Sequence, residues 1–312
     1  MSDLSGRTTV VVGASRGLGR GIARAFAEAG VPVVAVARTG PALAELATTS
    51  ANIRTEVADA ADATVAWSLL DQYEPEVLIL VAGANPVMRP LQYQTWETFS
   101  VNWHTDVKIA FTWLREALLK PLPPGSRVVV VSSGAAINGS PASGGYAGSK
   151  ATQRFIAGYA QEESRRAGLD ITVTAVMPRM TPFGDVGRRG VRAYAARGGQ
   201  IEEAYLKQLG ELLTPEMAGS ALVDLVRANP ATTAPGTCSP PPGCRSCHEH
   251  RRGTGCPGLG TAVPLGRGSV TVRGSTMSLR REHPLFLTLL LILAAASWVI
   301  LIWQASPLSN QE

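Results

Sequence analysis

The sequence predicts an α/β fold, a doubly wound parallel sheet in three layers with helices on both faces. Three observations lead there. Short β-branched runs alternate with helix-length segments over most of the first 230 or so residues. The first run, residues 8–12, is β-branched throughout, the sort that makes a strand buried on both faces of a parallel sheet. The first run ends directly in a glycine-rich turn, and apolar residues at helical spacing follow it.

Residues 8–12 are the first expected strand, followed by Gly13-Ala14-Ser15-Arg16-Gly17-Leu18-Gly19 and then Ile22, Ala25, Phe26 and Ala29 at helical spacing. Strand, glycine turn and helix in that order let backbone N–H groups and a helix N-terminus approach a pyrophosphate. Gly13, Ser15, Arg16, Gly17, Leu18 and Gly19 are therefore expected to touch a dinucleotide. Residues 32–37 are the second strand. After it, Ala37-Arg38 stands where a domain selective for NAD usually places a carboxylate on the ribose 2′-hydroxyl. Two guanidiniums, Arg16 and Arg38, suit a 2′-phosphate, so NADP(H) is expected over NAD(H).

The alternation continues with a helix over 41–47, a strand over 53–57, Asp59, a helix over 62–73 and a strand over 77–81. A long helix over 95–119, a strand over 127–132, a helix containing Tyr146 and a sixth strand over 171–176 complete it. Tyr146 and Lys150 lie four residues apart, on one helix face. An ammonium held beside a phenol favours the phenolate, which brings a poor acid–base catalyst toward its working range.

Composition narrows the partners. The chain has 312 residues, 45% hydrophobic and 17% charged, enough for one large α/β core. Seven of its 29 basic and three of its 24 acidic residues lie beyond residue 233, so the body carries a net charge of only +1. A near-neutral body argues against nucleic acid as partner. All four cysteines are also in the tail, leaving a body compatible with a reducing cytoplasm, and the N-terminus shows no export signal.

Over residues 4–230 the chain resembles the short-chain dehydrogenases/reductases. The resemblance rests on VVGASRGLG, Asp59, Val81-Ala82-Gly83, Asn102, Ser132-Ser133 closing a strand, and Tyr146 with Lys150, in that order and spacing. It implies a Rossmann-type fold and hydride transfer between NADP(H) and a carbonyl or alcohol. It also implies a catalytic tetrad of Asn102, Ser133, Tyr146 and Lys150. In that family the serine orients the carbonyl and the tyrosine exchanges the proton. The lysine lowers the tyrosine's pKa and holds the nicotinamide ribose, and the asparagine anchors a relay water. Further cofactor contacts are implied at Asp59, against the adenine, and at Ala82, Gly83, Pro178 and Thr181. A homo-oligomer packed through the helices bearing Asn102 and Tyr146 is implied as well.

Three stretches depart from the family pattern. Asn-Asn-Ala-Gly after the fourth strand is here Leu80-Val81-Ala82-Gly83, so an amide that braces the cofactor pocket is missing. Pro-Gly after the sixth strand is here Pro178-Arg179-Met180-Thr181. No glycine-rich final strand follows the helix at 214–227; residues 269–274 are the candidate for one. These changes motivate a competing class, a nucleotide-binding or scaffold protein that keeps the fold without catalysis; the intact tetrad argues against it. Residues 183–213, in the family's substrate-lid position, carry Arg188, Arg189, Arg192 and Arg197 and read as a solvated basic face.

A domain of residues 1–233 is thus expected to be followed by a disordered linker over 234–284, in which sixteen of 51 residues are Pro or Gly. Cys244, Cys247 and His248 formally match a haem-attachment pattern, and His250 and Cys256 would extend it to zinc; the reading adopted is linker with no metal. Residues 285–303 are apolar except Thr288 and Ser297, close to the length that spans a hydrocarbon core. With Arg280 and Arg281 before it and a short tail at 304–312, this segment is expected to anchor a cytoplasmic domain to a membrane.

Overall fold

A computed structural model of the chain describes Leu4, residues 6–228 and Leu259–Gly260. Six parallel strands form its centre: β1 (Thr9–Val12), β2 (Val33–Ala37), β3 (Ile53–Val57), β4 (Val77–Leu80), β5 (Arg127–Val131) and β6 (Thr172–Pro178), in the order β3-β2-β1-β4-β5-β6. β1, β2 and β4 are buried along their whole length, which is why, apart from Thr9, they consist only of Val, Ile, Leu and Ala. The order reverses between β1 and β4, and such a switch point opens a crevice at the carboxyl ends of the strands.

Helices cover both faces. On one, α1 (Gly17–Glu28), α2 (Gly40–Ala47) and α10 (Pro215–Arg227) bury Phe26, Leu43 and Leu222 against the sheet. α1 and α10 approach closely at Gly219, whose lack of a side chain permits it, since a Cβ there would meet Ala25 Cβ at 2.6 Å. On the other face lie α3 (Ala63–Tyr73), α5 (Lys108–Leu119) and α7 (Tyr146–Ala167), with Leu69, Trp113 and Ala157 in the core. The fully buried Trp113 donates its indole N–H to Ala60 O at 3.0 Å. Caps set the helix starts, as Asp62 accepts from Thr64 N for α3 and Thr214 accepts from Met217 N for α10.

The helix expected over 95–119 is present and continuous but contains a π-helical turn. α4 (Trp96–Asn102), begun by a Thr95–Thr98 capping box, leads into a π-helical turn at Trp103–Val107 before α5 continues. One extra residue per turn leaves the apolar pattern on either side intact, so periodicity alone did not reveal it; such turns cluster at functional sites. Between β6 and α10 lie two helices, α8 (Asp185–Arg197) and α9 (Glu202–Leu209). α6 (Ala135–Asn138) is a single turn after β5.

The end of the sheet also differs from expectation. Within the segment read as linker, Leu259–Gly260 forms a two-residue strand, β7, antiparallel to Met177 and Pro178. The candidate strand at 269–274, the Cys/His cluster and the apolar segment at 285–303 lie outside the described residues. Among the described residues no helix is long and apolar enough to cross a membrane.

Candidate active site

A cleft of about 800 Å³ lies over the carboxyl ends of the strands, lined from the glycine turn at one end to Ser133 and Tyr146 at the other. At the switch point two backbones touch. Gly13 has φ +100°, and a Cβ there would meet Ala82 N at 2.5 Å. A side chain on Gly19 would collide with the Gly13 carbonyl. Both glycines are therefore required by the turn itself.

The start of α1 suits an anion. Its N-cap, Arg16, makes no side-chain cap bond, and its first turn holds no acidic residue, so the helix dipole and the leading N–H groups are uncompensated. A pyrophosphate fits this cradle. Arg38 is exposed at the end of β2 and lines the cleft, as does Asp59, whose Oδ1 accepts from Ala61 N at 3.0 Å. Arg16 lines the cleft too, but its guanidinium is paired with Asp185 at the start of α8. Asp185 is held below the usual carboxylate range, chiefly by Arg188 and with help from Arg16, against a smaller opposing effect of burial. The glycine turn and the start of α8 are thus joined by a partly exposed ion pair that the sequence did not announce.

At the other end β5 delivers Ser132 and Ser133. Ser132 is buried and its hydroxyl donates to Lys150 O at 2.7 Å, fixing the strand end to α7. Ser133 Oγ accepts from Ala135 N at 3.2 Å, which leaves its O–H to donate into the cleft. Tyr146 is the first residue of α7, and Lys150 Nζ lies 5.6 Å from its ring centroid. Lys150 is 5% exposed, and its ammonium donates to Gln153 Oε1 at 3.0 Å and Val131 O at 3.4 Å. Burial works to remove its proton; the Asp106 carboxylate, together with Tyr146, more than offsets that and holds Lys150 above the ordinary lysine value.

All the expected contact residues line this one cleft except Asn102. That side chain is 1% exposed and sits behind the wall, donating to Ala84 O at 2.8 Å and to Asp106 Oδ1 at 3.2 Å. Pro178 and Thr181 line the cleft at the end of β6, Thr181 with 9% exposure. Tyr194 of α8 shares a hydrogen bond with Ser140 Oγ at 2.7 Å and accepts from Ala142 N at 3.2 Å, which ties α8 to the loop before Tyr146.

Sequence reasoning missed Asp106 and Gln153. The signal was present, because Asp106 is four residues after Asn102 and Gln153 three after Lys150, spacings that share a helix face. A carboxylate shortly before the apolar positions Ile109, Ala110 and Trp113 is also out of keeping with a plain core helix.

Sheet order, glycine turn and cleft define a dinucleotide-binding α/β domain of the Rossmann type. The chain belongs to the short chain dehydrogenase family, whose model matches residues 7–188; it is an oxidoreductase family that uses nicotinamide cofactors on small molecules. The chain is 25% identical to L-xylulose reductase of Mesocricetus auratus over 179 residues, 57% of this chain and 68% of that protein. It is 31% identical to NADPH-dependent aldehyde reductase 2, chloroplastic, of Arabidopsis thaliana over 198 residues, covering 56% of this chain and 72% of that one. The crystal structure of NAD⁺-bound xylitol dehydrogenase shares the fold, with TM-score 0.64 and 20% identity over 72% of this chain and 94% of that chain.

Proposed function

We propose that this chain is an NADP(H)-dependent carbonyl reductase or alcohol dehydrogenase in which Tyr146 exchanges the proton. The observation that carries this is a buried, charged Lys150 one helical turn from Tyr146, in a cleft that also holds Ser133 and the glycine turn. The nicotinamide, when bound, supplies or accepts the hydride at the carbonyl carbon. Charge then develops on the carbonyl oxygen, and donors already aimed there lower the barrier. Ser133 donates to that oxygen, and Tyr146 gives it a proton in reduction and takes one back in oxidation. Lys150 holds positive charge beside the phenol. Asn102 braces this end of the cleft from behind.

The preference for NADP(H) rests first on Arg38, exposed at the β2 end with no carboxylate in the position selective for NAD, and second on Arg16, which lines the same cleft while paired with Asp185. The NADPH-dependent relative named above agrees with it, whereas the NAD⁺-bound neighbour shares only the fold. The test is a screen of the full chain against aldehydes, ketones and sugars, following NADPH absorbance. Activity abolished in Tyr146→Phe supports the reading; no oxidation of NADPH with any carbonyl class, or unchanged turnover in the variant, refutes it.

Two attributes of the assembly complete the proposal. Phe111 of α5 and Phe155 and Tyr159 of α7 are 57%, 46% and 61% exposed, apolar surface on the helices through which a homo-oligomer would pack. Light scattering should give a mass above the 32.8 kDa monomer. The apolar run at 285–303 supports a cytoplasmic enzyme anchored to a membrane. Protein released by a carbonate wash would exclude that anchor.

A further inference from the structure

We propose that Asp106 is a positioning residue of this site, the buried counter-charge that holds Lys150 in place and protonated and links it to Asn102. The inference rests on the reductase reading, and it concerns a residue outside the expected tetrad.

The geometry is specific. Asp106 is fully buried in the π-helical turn, yet its turn reaches the cleft wall. Oδ1 accepts from Ala84 N at 2.8 Å and from Asn102 Nδ2 at 3.2 Å. Oδ2 stands 3.2 Å from Lys150 Nζ, close enough for an ion pair although it is not aligned as a hydrogen bond. The Asp106 carbonyl accepts from Gln153 Nε2 at 2.8 Å, and Gln153 Oε1 in turn accepts from Lys150. Lys150 is thus held from two sides, by the Asp106 carboxylate directly and by Gln153 of its own helix, which the Asp106 carbonyl anchors. Gly83 fits the same arrangement, since a Cβ there would meet Asp106 Oδ2 at 2.6 Å.

This arrangement accounts for the altered fourth-strand motif. Where an amide is missing from Leu80-Val81-Ala82-Gly83, the carboxylate of Asp106 reaches across to the Ala84 N–H and braces that loop. It adds what an amide cannot, a negative charge beside the ammonium. A charge buried to this degree persists only with a partner. The charged and titratable groups acting on Lys150 are Asp106, from the π-helical turn, and Tyr146, from its own helix; β5 contributes only the neutral Val131 carbonyl. Without the carboxylate, burial is opposed by Tyr146 alone, and Lys150 sheds its proton at lower pH. Asn102, shut off from the cleft, acts on the site through Asp106.

The variant that isolates charge from shape is Asp106→Asn, which keeps an oxygen for the Ala84 N–H. The chain has four lysines, Lys108, Lys120, Lys150 and Lys207, so ¹³Cε labelling gives a spectrum simple enough to assign Lys150 by its loss in Lys150→Met. In the protein without cofactor, Lys150 should titrate above the ordinary lysine value, and in Asp106→Asn at least about one pH unit lower than in the parent, roughly a tenfold change in proton affinity. The alkaline limb of kcat/KM should move to lower pH in the same variant. A bracing role alone predicts the opposite pattern, with lower thermal stability and lower kcat/KM at every pH while Lys150 titrates as in the parent. That result would overturn the proposal. If Asp106→Asn does not fold, the parent decides, because a Lys150 found uncharged at neutral pH despite the carboxylate at 3.2 Å rules out the counter-charge. The titration needs no turnover, so an inactive parent with the expected lysine shift would count against the reductase reading alone.

Discussion

The two ends of the cleft are built differently. At the far end Asn102, Asp106, Lys150 and Gln153 are all buried and bonded to one another across α4, the π-helical turn and α7. At the glycine-turn end Arg38 and Asp59 are exposed, and Arg16 is 60% exposed even while paired with Asp185. A buried charged network loses most of its function when one member is removed, because the remaining charges keep their desolvation cost. Exposed charges in solvent are screened and replaceable. The far end should therefore respond to substitution almost all-or-none, and the adenosine end by degrees.

The largest expected effect tests the first half of that contrast. Lys150→Met should reduce turnover by about two to four orders of magnitude, the usual contribution of positioned acid–base groups. It should also destabilise the fold by about 3–5 kcal/mol, because Asp106 is left as an unpaired buried charge. Denaturant unfolding of the double variant Lys150→Met, Asp106→Asn should recover part of that loss. No recovery would show that the two side chains are not coupled.

Gly13→Ala comes next. It forces a side chain into a φ of +100° and onto the Ala82 backbone, so the turn must shift. NADPH binding should weaken by more than about tenfold and stability fall by about 1–3 kcal/mol. Unchanged calorimetric affinity would mean that the turn does not meet the cofactor.

Arg38→Asp probes the graded end. NADPH should bind about tenfold more weakly relative to NADH, and raising the salt concentration should narrow the parent's preference. Equal dissociation constants for the two cofactors in the parent would end the claim. The smallest effect is expected from Asp185→Asn, which releases Arg16 from the start of α8. NADPH should then bind a few-fold more tightly with little change for NADH, since Arg16 becomes available to the 2′-phosphate. The pairing involves a carboxylate held below its usual range. It is accordingly present at neutral pH and lost only as pH falls through that lowered value, so the variant should differ from the parent at pH 7 and converge with it in acid.

Much of this protein was legible in the chain. Val10–Val12, Val33–Val36 and Val77–Leu80 were readable as buried parallel strands, because they are short, apolar and rich in β-branched residues and alternate with helix-length segments. The glycine turn, Tyr146 and Lys150 were found because each depends on local spacing within one turn or helix, whereas Ser133 was reached only through the family resemblance, and the end of β5 brings it to the same cleft. Periodicity could not find the π-helical turn, since an added residue leaves a hydrophobic pattern readable on both sides. The tertiary structure alone decided that Asn102 stands behind the wall, that Arg16 is held by a carboxylate 169 residues away, and that Asp106 meets Lys150 from a different element. The physical reason is common to all three. Propensity and spacing act over a few residues, whereas the partner of a buried charge is chosen by whichever distant segment the packed sheet brings within hydrogen-bonding distance.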